Sequence, residues 1–369
     1  MRMGKMVYLD YAATALNIKF PCSNYGPFLN VNANYTYGEK SVLRQQEEKV
    51  KKAIGAKSGR VIFGGTASQL IENLMTYIEE IHKKIPKKSY LPLVSEYEHD
   101  SFWRYSKDYK YTFTNLSDLQ TMLCSTMYDG IYTSLVMWQG VNNVTGELFP
   151  VEEIGGLTHK YDGYYICDMT AMLGKAKIPT NIDQWCDCAI WSGHKIGTEL
   201  GIGCCWISDV FDRWLNGFAL HGTPNLAGAC AIADATTYAY DYDNFKKNND
   251  NWYDLVCELV TDLEEEKIDY NIIHDEGQNI NAIVAIQLPG INADALQQFL
   301  ATKQIYISIG ASACAEKHDY RVLRQGYGLS NKSASEVIRI SFGEESSKND
   351  IVELINEIKQ FREKYCKGE

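Results

Sequence analysis

Residues 188–203 read CAIWSGHKIGTELGIG, an apolar run that ends in Ser192-Gly193-His194-Lys195 and continues into a glycine-rich stretch. The apolar run predicts a strand, and Lys195 is expected at its end among small residues and a histidine. A lysine amine held in a partly desolvated site loses its proton easily and can form a Schiff base with an aldehyde cofactor. A solvated loop lysine is the alternative interpretation of this segment on its own.

Two further segments suit a phosphorylated pyridine aldehyde. Asp168 follows a predicted strand at 164–167, and a buried carboxylate there could keep a pyridinium nitrogen protonated. The turn GGTAS at 64–68 lies between a predicted strand and a helix, where backbone N–H groups suit a phosphate. A capping aspartate and a plain strand–helix turn are the alternatives.

Short strand-like runs alternate with helical runs from about residue 40 to 240. RVIFGG at 60–65 predicts a strand, and apolar residues at helical spacing predict a helix over 68–85 with Ser68 as its N-cap. This alternation predicts an α/β fold with a mostly parallel sheet covered by helices. Further strands are predicted at 131–138, 164–167, 188–192 and 203–208.

The pattern changes after about residue 240. A polar stretch at 241–251 precedes a predicted helix at 252–266, and a terminal amphipathic helix ends the chain. Strands are predicted at 282–288, 305–309 and 336–342. We therefore expect a large α/β/α domain over 16–242 and a smaller α+β domain formed by 1–15 and 243–369.

Composition narrows the classes of partner. The 369-residue chain carries a net charge of -11 and has no basic cluster, which argues against nucleic acid or an anionic membrane as a partner. No apolar run has the length of a membrane span. Eleven cysteines without a signal peptide indicate reduced thiols in a cytosol. We expect Cys186, Cys188, Cys204 and Cys205 to be buried structural thiols rather than zinc ligands, because the chain has no CxxC pair.

These segments together resemble the cysteine desulfurases of the class V aminotransferase family. The resemblance spans nearly the whole chain, and its elements occur in the family's order. They are YLDYAATA at 8–15, the turn at 64–68, VNNVTGELFPVEEI at 141–154, CDMTAMLGK at 167–175, SGHKIGTELGIG at 192–203, HGTPN at 221–225, SACA at 312–315 and VIRISFG at 337–343. The implied fold is the fold type I of pyridoxal-phosphate (PLP) enzymes, similar to aspartate aminotransferase, with PLP bound by the large domain.

The resemblance also implies roles for particular residues. Lys195 would hold the cofactor, Asp168 would pair with its ring nitrogen, and His99 would stack on the ring and assist proton transfer. Cys314 would be the nucleophile that takes sulfur from the substrate. The phosphate would be held by Ala67, Ser68, Ser192 and His194, and by Thr223 from the partner subunit of a homodimer. Asn143 would contact the cofactor and bind the substrate carboxylate together with Arg339.

The implied reaction converts L-cysteine to L-alanine and leaves a persulfide on Cys314 for a sulfur-acceptor protein, in iron–sulfur cluster assembly or tRNA thiolation. The chain departs from the family at Ala171, where a glutamine is usual, and in the loop around Cys314. Selenocysteine cleavage, C–S lysis or transamination on the same scaffold is one alternative. A non-catalytic assembly partner for sulfur-transfer proteins is the other.

Overall fold

The computed structural model describes residues 6–28, 30–32, 37–84, 89–106, 111–129, 132–273, 278–310 and 320–366. The chain forms two compact units. The central unit comprises Asn17–Gly140 and Pro150–Tyr242, and the discontinuous unit comprises the described residues up to Leu16, Val141–Phe149 and those from Asp243 onward. The segment Val141–Phe149 thus groups with the two ends of the chain. The domain boundaries drawn from the sequence, which left this segment in the large domain, stay a prediction.

The strands are β1 (Val7–Tyr8), β2 (Arg60–Gly64), β3 (Tyr90–Ser95), β4 (Thr112–Phe113), β5 (Thr133–Met137), β6 (Glu147–Leu148), β7 (Tyr164–Asp168), β8 (Cys188–Ser192), β9 (Gly203–Ile207), β10 (Asn271–Ile272), β11 (Gln278–Asn279), β12 (Ile283–Gln287), β13 (Ile305–Tyr306), β14 (Ser308–Ile309) and β15 (Val337–Ser341). The α-helices are α1 (Tyr37–Ala53), α2 (Ala67–Lys84), α3 (Asp100–Trp103), α4 (Leu116–Asp129), α5 (Val151–Lys160), α6 (Asp209–Leu215), α7 (Leu226–Ala239), α8 (Tyr242–Glu265), α9 (Ala293–Thr302), α10 (Asn331–Ala334) and α11 (Lys348–Tyr365).

The central unit is built on a seven-stranded sheet in the order β2-β9-β8-β7-β5-β3-β4. The strands from β8 to β4 pair in parallel, whereas β9 is antiparallel to both of its neighbours. The predicted mostly parallel α/β sheet is therefore confirmed. Helix α2 covers β8 and β9 with one apolar face, formed by Leu70, Ile71, Leu74, Met75, Ile78 and Ile81, all of them buried. This face matches the 3.6-residue spacing seen in the sequence.

The discontinuous unit contains the four-stranded sheet β10-β12-β15-β14, which is antiparallel throughout. The single strand predicted at 305–309 is wrong, because the segment divides between two sheets. Its first half, β13, pairs in parallel with β1, and its second half, β14, pairs with β15. Alternating apolar residues predicted an extended backbone correctly but carry no information about the partner strand.

The polar stretch at 241–251 is also helical, since α8 begins at Tyr242 and runs to Glu265. The burial pattern of α8 explains why its first half was not predicted as a helix. The buried residues of α8 are Trp252, Leu255, Leu259 and Leu263, so the apolar face begins only in the second half of the helix. The first turns are polar and offer no periodic signal.

The four cysteines expected to be structural are all free thiols and all buried, as predicted. The Sγ atoms of Cys188 and Cys205 lie 3.5 Å apart, well beyond the S–S bond length of about 2.05 Å. These thiols fill the interior of the sheet as small apolar groups.

Among the helices in the described ranges, none has the length and hydropathy that crossing a bilayer requires.

Candidate active site

Asp168 and Lys195 lie at the carboxyl ends of two adjacent parallel strands. Asp168 is the last residue of β7, and Lys195 ends a 3₁₀ turn, Gly193–Lys195, that continues directly from β8. The register pairs Asp168 with Ile190, so both chain segments leave the sheet at the same edge. Ligands of open α/β sheets bind outside this edge. The structure thus places both sequence-predicted residues at one corner of the central unit.

The Asp168 carboxylate is 7% exposed, and its Oδ1 accepts a hydrogen bond from the backbone N–H of Thr170 at 2.8 Å. The hydroxyl of Thr170 is buried and has no partner among the described residues. A buried carboxylate beside an unused hydroxyl leaves hydrogen-bonding capacity that a polar ligand can take up.

Lys175 was missed by the sequence reasoning. It is 6% exposed, and its Nζ donates to the backbone carbonyl of Lys195 at 3.3 Å. Burial lowers the pKa of Lys175 to about 7, and the neighbouring charge of Lys195 acts in the same direction. The available signal was the lysine that closes the apolar segment CDMTAMLGK, since a lysine in an apolar run must either reach solvent or change its charge.

The N-cap of α2 is Thr66 and not Ser68, so that prediction is corrected. The Thr66 hydroxyl accepts from the Gln69 backbone N–H at 3.2 Å, and the Gln69 side chain accepts from the Thr66 N–H at 3.1 Å. This reciprocal pair is a capping box. The first two helical N–H groups, those of Ala67 and Ser68, have no acceptor within the helix. They are the two residues that the family resemblance assigns to the phosphate.

Gly203 allows β9 to run beside this turn. Its register partner is Gly64 in β2, and a Cβ at position 203 would lie 2.4 Å from the carbonyl oxygen of Gly65 and 2.9 Å from the carbonyl carbon of Thr66. Both contacts involve backbone, which cannot move aside easily. Any side chain here would displace the turn that precedes α2.

His99 lies beyond β3 and caps the short helix α3. Its Nδ1 is 3.2 Å from the backbone nitrogen of Ser101, which donates to it, and 2.9 Å from the Ser101 hydroxyl. The Ser101 hydroxyl in turn lies 2.7 Å from that of Ser68. The structure therefore links His99 to the first turn of α2 through Ser101, a residue that sequence reasoning did not identify.

His194 and Ser192 form a similar pair at the end of β8, with 2.9 Å between Ser192 Oγ and His194 Nδ1. Ser192 is buried, and His194 is partly exposed. Thr223 lies on an exposed loop and lines a groove of about 710 Å³ together with Gly64, Gly65 and Gln69. The groove and the loop both belong to the central unit.

Arg339 and Asn143 lie in the discontinuous unit and contact each other. The Arg339 guanidinium donates to the Asn143 backbone carbonyl at 2.9 Å, to Asp10 Oδ1 at 2.7 Å and to the Ser308 hydroxyl at 2.8 Å. Arg339 is 4% exposed, and its Nε has no partner among the described residues. Asp10 was not identified from the sequence. A buried arginine needs an anionic partner, but the sequence does not say which residue it is.

Cys314 lies outside the described residues. Ala171, at the position where the family usually has glutamine, is 6% exposed and supplies no side-chain donor.

The residues at this corner fit pyridoxal phosphate. Lys195 supplies an amine, Asp168 a buried carboxylate, and the start of α2 two N–H groups without helical acceptors. The uncharged Thr66 and Gln69 at the cap leave no acidic side chain in the first turn of α2 to repel an anion. This donor set suits a phosphate at one end of a ligand and a protonated ring nitrogen at the other.

Comparison with known proteins agrees with this geometry. The sequence matches the family model described as Aminotransferase class-V over residues 7–354. It is 23% identical to the cysteine desulfurase IscS of Clostridium botulinum, covering 95% of this chain and 92% of that protein. It is 22% identical to the cysteine desulfurase IscS of Dictyoglomus turgidum, covering 98% of this chain and 96% of that protein.

Solved structures show the same fold. A NifS-like protein from Rickettsia africae superposes with a TM-score of 0.80 at 21% identity, covering 97% of this chain and all of that one. The apo structure of a cysteine desulfurase from Thermococcus onnurineus gives a TM-score of 0.74 at 19% identity, covering 97% of this chain and 95% of that one.

Proposed function

Because the chain belongs to the class V aminotransferase family, we propose that it is a PLP-dependent cysteine desulfurase. It would convert L-cysteine to L-alanine and pass the sulfur through an enzyme persulfide to an acceptor protein. The observation that carries the proposal is the placement of Lys195 and Asp168 after adjacent parallel strands, with an uncharged, capped helix start in the same unit. The curated relatives named as cysteine desulfurases support the choice of reaction.

When bound, PLP supplies an electron sink for the electrons of a bond broken at the substrate α-carbon. The protein's part is to hold and to move protons. Lys195 holds the cofactor through its amine, and its charge adds to burial in lowering the pKa of the neighbouring Lys175. Asp168 keeps the ring nitrogen protonated, and His99 assists proton transfer at the reacting end. Ala67 and Ser68 bind the phosphate through backbone N–H groups, with Ser192 and His194 as further ligands.

The sulfur step balances without an added oxidant. The Cys314 thiolate attacks the substrate sulfur, an S–S bond forms, the C–S bond breaks, and the carbon that loses sulfur takes up a proton. One thiol and L-cysteine thus give one persulfide and L-alanine. Asn143 and Arg339 bind the substrate carboxylate, and the Arg339 Nε without a partner is an available donor for it.

The proposal includes a homodimer and a cytosolic location. The exposed Thr223 loop and the groove of about 710 Å³ beside it support contact with a second copy, whose phosphate site Thr223 would complete. Sedimentation tests the dimer, and Thr223→Ala should weaken PLP binding without changing the sedimentation coefficient. Buried free thiols such as Cys188 and Cys205 fit a reducing compartment.

The decisive experiment measures products from L-cysteine in the wild type, Lys195→Ala and Cys314→Ala. The wild type should form alanine and a persulfide, Lys195→Ala should lose the borohydride-reducible adduct, and Cys314→Ala should keep that adduct but lose persulfide and most alanine. Selenocysteine and cysteine sulfinate serve as parallel substrates. Pyruvate and ammonia as products would indicate elimination instead, and a wild type without a reducible adduct would favour the non-catalytic alternative.

A further inference from the structure

We propose that the Ser101 backbone N–H fixes His99 as the tautomer protonated on Nε2, and that Ser101 and Ser68 are positioning residues whose hydroxyls orient its ring. The three residues form a chain of contacts, here called the serine–histidine chain: Ser68 Oγ to Ser101 Oγ at 2.7 Å, and Ser101 Oγ to His99 Nδ1 at 2.9 Å. The catalytic meaning of this inference rests on the proposed function of His99. The direction of the hydrogen bonds follows from geometry alone.

A backbone N–H fixes that direction. The Ser101 N–H can only donate, and it points at His99 Nδ1 from 3.2 Å, so Nδ1 carries no proton and accepts. The neutral ring then bears its proton on Nε2. The Ser101 hydroxyl, facing the same Nδ1, must also donate to it, because two lone pairs facing each other repel.

The direction of the Ser68–Ser101 hydrogen bond follows from the number of hydroxyl hydrogens. A serine hydroxyl has one hydrogen and can donate only once. Since the Ser101 hydrogen points at His99, the Ser101 oxygen must accept from Ser68 over the 2.7 Å contact. The Ser68 hydroxyl hydrogen is therefore committed to the serine–histidine chain and is not available to a phosphate. The phosphate contact of Ser68 is its backbone N–H in the first turn of α2, as at Ala67.

This arrangement limits what His99 can do. A neutral ring with Nδ1 engaged by two donors can donate a hydrogen bond from Nε2, but it cannot take up a proton at Nδ1 without breaking both bonds. The backbone of His99 is also held, because its N–H donates to Glu98 Oε2 at 2.9 Å. His99 thus enters the reaction as a hydrogen-bond donor with a fixed ring orientation.

The test is histidine-selective ¹⁵N NMR of the full-length chain, with and without PLP. The chain has seven histidines, and loss of one signal in His99→Asn assigns the resonance. In the wild type, Nδ1 should resonate as an unprotonated nitrogen and Nε2 as a protonated one. Ser101→Ala keeps the Ser101 backbone N–H, so Nδ1 should stay unprotonated, but loss of the hydroxyl donor should shift its signal towards that of a nitrogen with a weaker hydrogen bond. Ser68→Ala should shift the signal in the same direction by less. Ser101→Thr, which keeps the hydroxyl, should restore the wild-type pattern.

Cofactor affinity provides the second readout. Because Ser68 reaches a phosphate through its backbone, Ser68→Ala should change the Kd for PLP by less than about threefold, a smaller change than the loss of one hydrogen bond to a charged group gives. Ser125→Ala is the matched control, an exposed serine on α4 whose hydroxyl donates to the Thr121 carbonyl. It should leave the His99 signals unchanged.

Two results would overturn the inference: protonated Nδ1 in the wild type, or a Ser68→Ala variant that loses PLP affinity tenfold while its His99 signals stay unchanged. A failure of the proposed function looks different. A wild type that forms no adduct at Lys195 would refute that function, whereas the tautomer measured without PLP would still decide the serine–histidine chain.

Discussion

Lys175 donates a hydrogen bond from its buried Nζ to the backbone carbonyl of Lys195 at 3.3 Å. The causes that set the pKa of Lys175 are burial and the charge of Lys195, both of which lower it to about 7. The protein therefore keeps an amine of near-neutral pKa next to the lysine that the proposed reaction uses. Such an arrangement opposes a second positive charge and costs stability at every pH below the unfolded pKa of about 10.4.

Lys175→Met should stabilise the protein at neutral pH. The folded-state pKa of about 7 lies below the unfolded value of about 10.4, so the unfolded chain binds more protons between these values and stability rises with pH. The methionine removes a cost of at most about 4 kcal/mol at pH 7, and this gain should fade towards pH 10. Urea unfolding at both pH values measures it. The control is Lys177→Met at an exposed position, and equal effects at the two pH values would contradict the prediction.

Asp10→Asn should destabilise the discontinuous unit strongly. Removing one partner of a buried ion pair leaves the other charge uncompensated, which costs roughly 3–5 kcal/mol, and Arg339 is 4% exposed. The double variant Asp10→Asn with Arg339→Met should recover part of the loss. Glu258→Gln, which breaks the exposed pair with Lys348 at 2.7 Å, is the control and should cost little, because solvent screens this pair. If denaturant titrations gave Asp10→Asn and Glu258→Gln a similar loss of unfolding free energy, Asp10 would not compensate the charge of Arg339.

Thr66→Ala should cost about 1 kcal/mol, because it removes the side-chain acceptor of the Gln69 N–H at the start of α2. Ser68→Ala should cost less, since the structure places the N-cap at Thr66. Thr121→Ala on the exposed face of α4 serves as the control. If Ser68→Ala proved the more destabilising of the two in thermal unfolding, the N-cap would have been placed wrongly.

His159 should make stability depend on pH. Its Nε2 lies 2.8 Å from Asp187 Oδ2, and this hydrogen bond raises the pKa of His159 above its ordinary value against the opposing effect of burial. A group whose folded pKa is raised contributes its full stability below the unfolded pKa of about 6.5. That contribution is lost as pH rises through the folded pKa. His159→Gln should therefore lose more stability at pH 6 than at pH 8, measured from urea midpoints; an equal loss at both would show that the pair does not titrate in this range.

Strands β7, β8 and β9 of the central sheet could be predicted closely because they are buried and read as continuous apolar runs, whereas β3 and β4 were not predicted. β8 was predicted with the bounds that the structure shows, and β7 and β9 differ by one residue at one end. The direction of β9 could not be predicted. Whether a strand runs with or against its neighbour depends on the path of the chain between strands, and that path is not encoded in the strand itself.

Residues of the candidate site could likewise be predicted only where the local sequence carries the signal. Lys195 and Asp168 could be predicted because each follows its own strand, so local sequence carries the signal. Asp10 and Ser101 could not, because each acts through a contact with a distant segment, with Arg339 and with Ser68 respectively. Lys175 did carry a local signal, a lysine in an apolar run, but its contact with Lys195 could not be predicted. Asp10 lies near the start of the chain and its partner Arg339 near the end, and no spacing rule links them.

The pairing of β2 with β9 has a consequence for how the protein is made. β2 is complete at residue 64, but the strand that pairs with it ends only at residue 207. At ordinary ribosomal speeds the interval is on the order of ten seconds. Throughout that time β2, the strand that leads into the turn before α2, is unpaired. Its backbone is then open to pairing with other chains. Nascent chains are therefore most vulnerable to aggregation before β9 emerges, and chaperone binding should matter most in that window.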